Sequence, residues 1–151
     1  MDKEVIKINN VKLDIQAILT VIKRRQYSFG CGENKSLDLS RTNLKDTILD
    51  EANLSYTKLI DASLSDANLS KANLSHTKLS LANLSGANLS KANLSDADLS
   101  GTDLLCTNLS EACNLSFNQL SKVKTLYNAT LNEELLRSLK AEFPALFDKP
   151  E

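Results

Sequence analysis

The chain has no tryptophan, one methionine, one histidine, four glycines and two prolines in 151 residues. A single imidazole, His76, leaves only one ordinary general base for the many serines and cannot anchor a zinc site, which needs about four ligands at short spacing. The three cysteines, Cys31, Cys106 and Cys113, form no C-x-x-C pair, and their odd number suits a reducing compartment. No apolar run approaches the ~18 residues that a membrane span needs. The opening MDKEVIKINN lacks the apolar core and small-residue cleavage site of a signal peptide. These absences predict a soluble cytoplasmic protein with no cofactor and no membrane partner. Charge is balanced, 18 Lys plus Arg against 19 Asp plus Glu, so it argues neither for nucleic acid nor for a strongly acidic decoy.

What is present is a repeat. Leucine recurs every fifth residue from Leu39 to Leu109, fifteen times without a gap. Two residues before nearly every one stands a small side chain, as in Ala52, Thr57, Ala62, Ala67, Ala72 and Thr77, so the unit reads A-N-L-S-x. An α-helix advances about 100° per residue and would scatter these leucines around its circumference. A flat strand has a side-chain period of two and would send alternate leucines to opposite faces. A chain that turns a corner every five residues escapes both conflicts, since each corner resets the alternation and lets Leu and the small residue both point inward. Four such sides close a square, with twenty residues to a coil.

This pattern resembles the pentapeptide-repeat family, whose consensus is A-(D/N)-L-x-x, over roughly residues 37–131. The resemblance implies an all-β solenoid, a right-handed quadrilateral β-helix. At about 4.8 Å per coil, four to five coils make a tower roughly 20 to 25 Å tall. Each inward Leu contributes roughly 1.5 to 3 kcal/mol of burial. The Asn before it faces out, stacking Asn53, Asn73 and Asn93 in one column and Asn68, Asn88 and Asn108 in another, where amide ladders can form. The register slips at Glu111-Ala112-Cys113-Asn114-Leu115 by one residue, which predicts a small corner bulge with Cys113 inward; Leu120 then keeps step, and the last coil degenerates through residues 122–125 to Leu131.

Solenoid ends expose apolar side chains and unpaired backbone, so both need lids. Residues 1–36 are assigned to an N-terminal cap: a helix over residues 13–25 with Ile15, Ile18, Leu19 and Ile22 on one face, then a polar loop to Ser36 broken by Gly30 and Gly32. Residues 132–151 form the other cap. Asn132 is the expected N-cap, Glu133 and Glu134 suit the positive helix terminus, Leu135, Leu136, Leu139 and Phe143 form the buried stripe, and Pro144 stops the helix. Two capped ends predict a monomer.

A convex repeat surface with serines such as Ser65, Ser70, Ser75 and Ser80 exposed offers no converging catalytic groups, and His76 is expected to face solvent. The N-L-S triplets at Asn53, Asn73 and Asn93 match a glycosylation acceptor, but the repeat generates them. Cys106 is expected outward, with no cationic cluster near it to make its thiol reactive. The expected role is therefore a non-catalytic interaction or scaffold module whose partner is another protein. The candidate surface is where outward positions depart from Ser and Asn: Tyr56, Lys58, Ile60, His76, Lys78 and Leu81, expected on one corner and its adjoining face. The alternative implied by the resemblance is mimicry of duplex DNA at a type II topoisomerase such as gyrase, modulating quinolone sensitivity. It fits poorly, because residues 37–131 hold ten acids against eight bases and the tower is short.

Overall fold

A computed structural model describes Ile22 and residues 36–150. The expected N-terminal cap, and Cys31 within it, therefore lie outside the described residues, except that Ile22 is fully buried in the same apolar cluster as the repeat leucines.

From residue 38 onward the chain forms four columns of parallel bridges, one pair per side and coil. They run 38–58–78–98 on side A, 43–63–83–103–125 on side B, 48–68–88–108–130 on side C and 53–73–93–113 on side D. Sides B and C thus have five levels and sides A and D four. Leucines 39 to 109 at five-residue spacing are all buried, with Ala or Thr two residues before each from Leu44 on and Leu37 before Leu39, and this column of side chains is the core.

Every amide of a typical pentapeptide has a partner, which explains the letters of the repeat. Leu54 and Tyr56 donate to the Asn73 and Ser75 carbonyls one coil on, at 2.8 and 3.0 Å, and Asn73 donates back to Ala52 at 2.9 Å. Ala52 closes the turn onto the Leu49 carbonyl at 3.1 Å. The remaining amide, Ser55, is taken by the Asn53 side chain at 3.2 Å, and the same Asx contact recurs at Asn68, Asn73, Asn83, Asn88, Asn93, Asp98, Asp103 and Asn108. The amide ladders form as well: Asn88 to Asn68 and Asn93 to Asn73 at 3.4 Å, Asn108 to Asn88 at 3.3 Å. The residue two after each Leu has positive φ at every corner from Arg41 to Glu111, and with the turn bond this is the arrangement of a type II turn. Two of the serines, Ser55 and Ser65, are buried in these corners rather than displayed.

The slip after Glu111 differs from the expectation. Cys113 still pairs with Asn93 at a twenty-residue step, so it holds the outward Asn position and is exposed, while Ala112 points inward. The extra residue is Asn114, at φ 57°, whose amide side chain joins the Asn93 ladder at 2.9 Å. By side B the step has grown to 22 residues. The second added residue is absorbed in α1, Phe117–Leu120, a single helical turn capped by Ser116. Leu120 is buried from this helix, not from a β side.

At the C-terminal end α2 spans Glu133–Glu142. Asn132 caps it by accepting the Leu135 amide at 2.9 Å, with Glu133 and Glu134 in the first turn. Leu139 is fully buried and Leu135 packs partly against the core. Phe143 departs from the expected stripe: it ends the helix, is 37% exposed, and rests against the Phe117 ring at 5.8 Å. Pro144–Phe147 makes a 3-10 turn that returns to the tower, where the Leu146 carbonyl accepts the Leu126 amide at 2.6 Å.

Candidate interaction surface

The twenty-residue coil decides which outward residues meet. Tyr56 and His76 share the corner before side A and stack with ring centroids 4.5 Å apart and planes 17° from parallel. Asp96 continues that column, with Oδ2 3.8 Å from His76 Nδ1. On side A itself Lys58 pairs with Lys78 across the coils, with Asp38 below and Asp98 above. Lys58 Nζ lies 3.5 Å from Asp38. Hydrogen bonds from the Ser40 hydroxyl and amide, helped by Lys58, hold the Asp38 carboxyl below the usual carboxylate range.

Lysine at these positions has a local consequence. Where Asn or Asp precedes the Leu, it accepts the amide two residues on; Lys58 and Lys78 cannot, and the Ile60 and Ser80 amides find no acceptor among the described residues. A hydrogen bond of this kind is worth roughly 0.5 to 1.5 kcal/mol net. Side A therefore gives up local stabilisation at two successive coils and carries a lysine at each of them.

Of the six, Leu81 is placed differently from the expectation. Ile60 is half-buried at the far end of side A, the adjoining face of the expectation, whereas Leu81 stands on the next corner, so the six residues span the side from corner to corner. Leu81 is 64% exposed and leans onto the following coil, with Cδ2 2.8 Å from where a Cβ on Gly101 would sit. The acids Asp38, Asp96 and Asp98 were not singled out by residue type, although the twenty-residue step places them at the rim. Among the described residues no His, Cys, Asp and Glu grouping could hold a metal, and the side A residues do not line the one groove described, which lies at the coil end. Elsewhere charges pair between neighbouring coils: Arg41 with Asp61, Lys45 with Asp66, Lys71 with Glu51 and Lys91 with Glu111. The Glu51 carboxylate, accepting at 2.9 Å, raises the Lys71 pKa.

The profile of the family described as pentapeptide repeats matches in eight copies, within residues 38–75, 47–86, 67–104 and 77–113. A comparison with curated proteins returned no match. Among solved structures, the pentapeptide repeat protein Rfr23 from the cyanobacterium Cyanothece 51142 is 34% identical, over 69% of this chain and 70% of its own, with a TM-score of 0.57. A pentapeptide repeat protein from the Arabidopsis thaliana thylakoid lumen is 26% identical over 78% of this chain and 82% of its own, with a TM-score of 0.33. QnrB1, a plasmid-mediated fluoroquinolone resistance protein, is 20% identical over 73% of this chain and 72% of its own, and its TM-score of 0.23 carries no functional argument. Four columns of bridges at a twenty-residue step, the repeat profile and the likeness to Rfr23 agree: the chain belongs to the pentapeptide-repeat family of right-handed quadrilateral β-helices.

Proposed function

We propose that this protein is a non-catalytic interaction module and that side A binds another protein through Tyr56, Lys58, Ile60, His76, Lys78 and Leu81. The observation that carries the reading is the substitution of Lys58 and Lys78 into two stacked positions where Asn would satisfy a backbone amide, directly beside the exposed Tyr56–His76 ring stack. Aromatic rings, an exposed leucine and lysine heads are the groups that dominate protein contacts when desolvated together. The partner offers carboxylates to the lysines and an apolar or aromatic group to the rings. The acids at the ends of the column, Asp38 and Asp98, limit the cationic stretch to two coils, too short for a nucleic-acid backbone, whose affinity grows with the number of phosphates neutralised.

The test is affinity capture from the source cell with the full chain. Tyr56, Ile60, His76 and Leu81 changed together to Ser should lose the captured partner while circular dichroism stays unchanged. Changing Lys71 and Lys91 to Ser, on another corner, should leave capture intact. The opposite pattern would move the binding surface to the Lys71–Lys91 corner.

A further inference from the structure

The four sides of the tower end differently above the fourth coil. On three sides the carbonyl that would bond the next coil has a donor: Ala97 accepts Gln119 Nε2, Thr102 accepts the Lys124 amide and Thr107 accepts the Thr130 amide, each at 2.9 Å. On side D the corresponding Ala112 carbonyl accepts nothing and the Leu115 amide donates to nothing among the described residues. A fifth level is missing there because the chain leaves side C at Thr130 and enters α2 instead of running beside residues 112–115. A free sheet edge is a template for pairing.

Beside that edge lies a groove of about 480 Å³, a volume in the range of ligand sites. Leu115, Phe117 and Leu135 are its apolar lining residues, and Glu134 and Glu142 line it from α2. The helix's own cations do not line it, and Lys140 is turned away, with Nζ 5.4 Å from the Phe147 ring centroid. Glu134 and Glu142 are eight residues apart, about 12 Å along a helix rising 1.5 Å per residue. An extended chain covers that length in about four residues, and its residues i, i+2 and i+4 share one face.

We propose that this groove takes an extended segment of a partner protein as the missing fifth rung of side D. The segment carries Lys or Arg at positions i and i+4, facing the two glutamates, and an apolar residue at i+2 over Leu115, Phe117 and Leu135. Backbone pairing to the Ala112 carbonyl and Leu115 amide supplies affinity, and the alternate side chains supply selectivity. This surface is separate from side A, and the proposal stands or falls independently of the function proposed there.

The test uses the isotope-labelled full chain, followed by amide chemical shifts, with the capped synthetic peptide Thr-Lys-Val-Leu-Val-Lys-Thr as probe. Saturable shifts at residues 112–117 and 132–142, with a Kd below about 1 mM, are expected. A peptide with Glu in place of both Lys should bind at least about tenfold more weakly. Of two N-methylated copies, one blocked at both valines and one at the leucine, only the copy whose methyls face the edge should lose binding. Ser138→Trp, at an exposed position, should fill the groove and abolish binding without moving the thermal transition, and Glu142→Lys should weaken it with the groove left open. The Tyr56, Ile60, His76 and Leu81 variant should bind the peptide normally. No saturation up to that concentration, equal binding of the Glu peptide, or equal binding of both methylated copies overturns the proposal. A self-associating chain that Ser138→Trp returns to monomer also overturns it, since the occupant is then a second copy.

Discussion

At the corner two residues after each Leu the backbone is held with φ between 52° and 61° by residues as varied as Arg41, Tyr56, Leu81 and Cys106. The left-handed region costs an L-residue roughly 1 to 2 kcal/mol, more if branched at Cβ. The sequence respects this: from Arg41 to Glu111 the corner residue is never Val, Ile, Thr or Pro. Gly86 and Gly101 hold the same conformation freely, and at each an added Cβ would also collide with the residue one coil below, Asp66 and Leu81 respectively. Asp46 isolates the backbone effect, since it is exposed, sits at φ 57° and makes no ion pair among the described residues. Asp46→Gly and Asp46→Val remove the same charge. The valine variant should lose about 1 to 2 kcal/mol relative to the glycine variant, read from urea midpoints at equal slope. Equal midpoints would mean that the corners are not held in the left-handed region in solution.

At the scale of elements, the last coil is where a side chain replaces a backbone strand. Side A has no fifth level, and Gln119 of α1 reaches across the gap to donate to the Leu94 and Ala97 carbonyls at 2.8 and 2.9 Å, while its oxygen accepts the Ser116 amide at 2.9 Å. Gln119→Glu keeps the acceptor and removes both donors, setting a carboxylate against two carbonyls. It should cost about 1 to 3 kcal/mol, whereas Asn118→Asp, exposed next door, should stay within about 0.5 kcal/mol. Thermal melts that fail to separate the two would show that side A is closed by something other than Gln119. The β-helix was legible because Leu and Ala at period five admit one solution, and the cap at Asn132 because a side-chain acceptor before two glutamates has a mechanical meaning. The slip was not: a leucine count sees one added residue, whereas the bridges keep register through Cys113 and spend two residues on Asn114 and α1. Helical spacing places Phe143 in the core stripe, but α2 ends there and the ring turns to Phe117. On side A, stacking of Tyr56 on His76 and of Lys58 on Lys78 followed from arithmetic alone, while the separation of Leu81 from the first corner needed the position of the turn.

For the whole molecule, the decisive quantity is how charge is distributed along the tower. Duplex DNA carries about one negative charge per 1.7 Å of axis, and five levels at ~4.8 Å span ~19 Å, so a mimic of that length needs on the order of eleven unneutralised acids. Residues 37–131 carry a net excess of only two. The stacking cancels even these locally, because Asp38, Glu51, Asp61, Asp66, Asp103 and Glu111 each lie within 4.0 Å of a Lys or Arg head. Each such exposed pair contributes only ~0 to 1 kcal/mol to stability, but together they flatten the field that would steer the tower to a DNA-binding groove. The C-terminal coil end is covered by α2 and the 3-10 turn, with Leu139 buried beneath them, so two towers cannot join end to end there into a longer rod without displacing that cap. The purified protein at micromolar concentration should therefore leave gyrase supercoiling unchanged, and should not relieve its inhibition by a quinolone. Dose-dependent protection in that assay would show that a nearly neutral tower of this height suffices for topoisomerase binding, and the charge argument would fail with it.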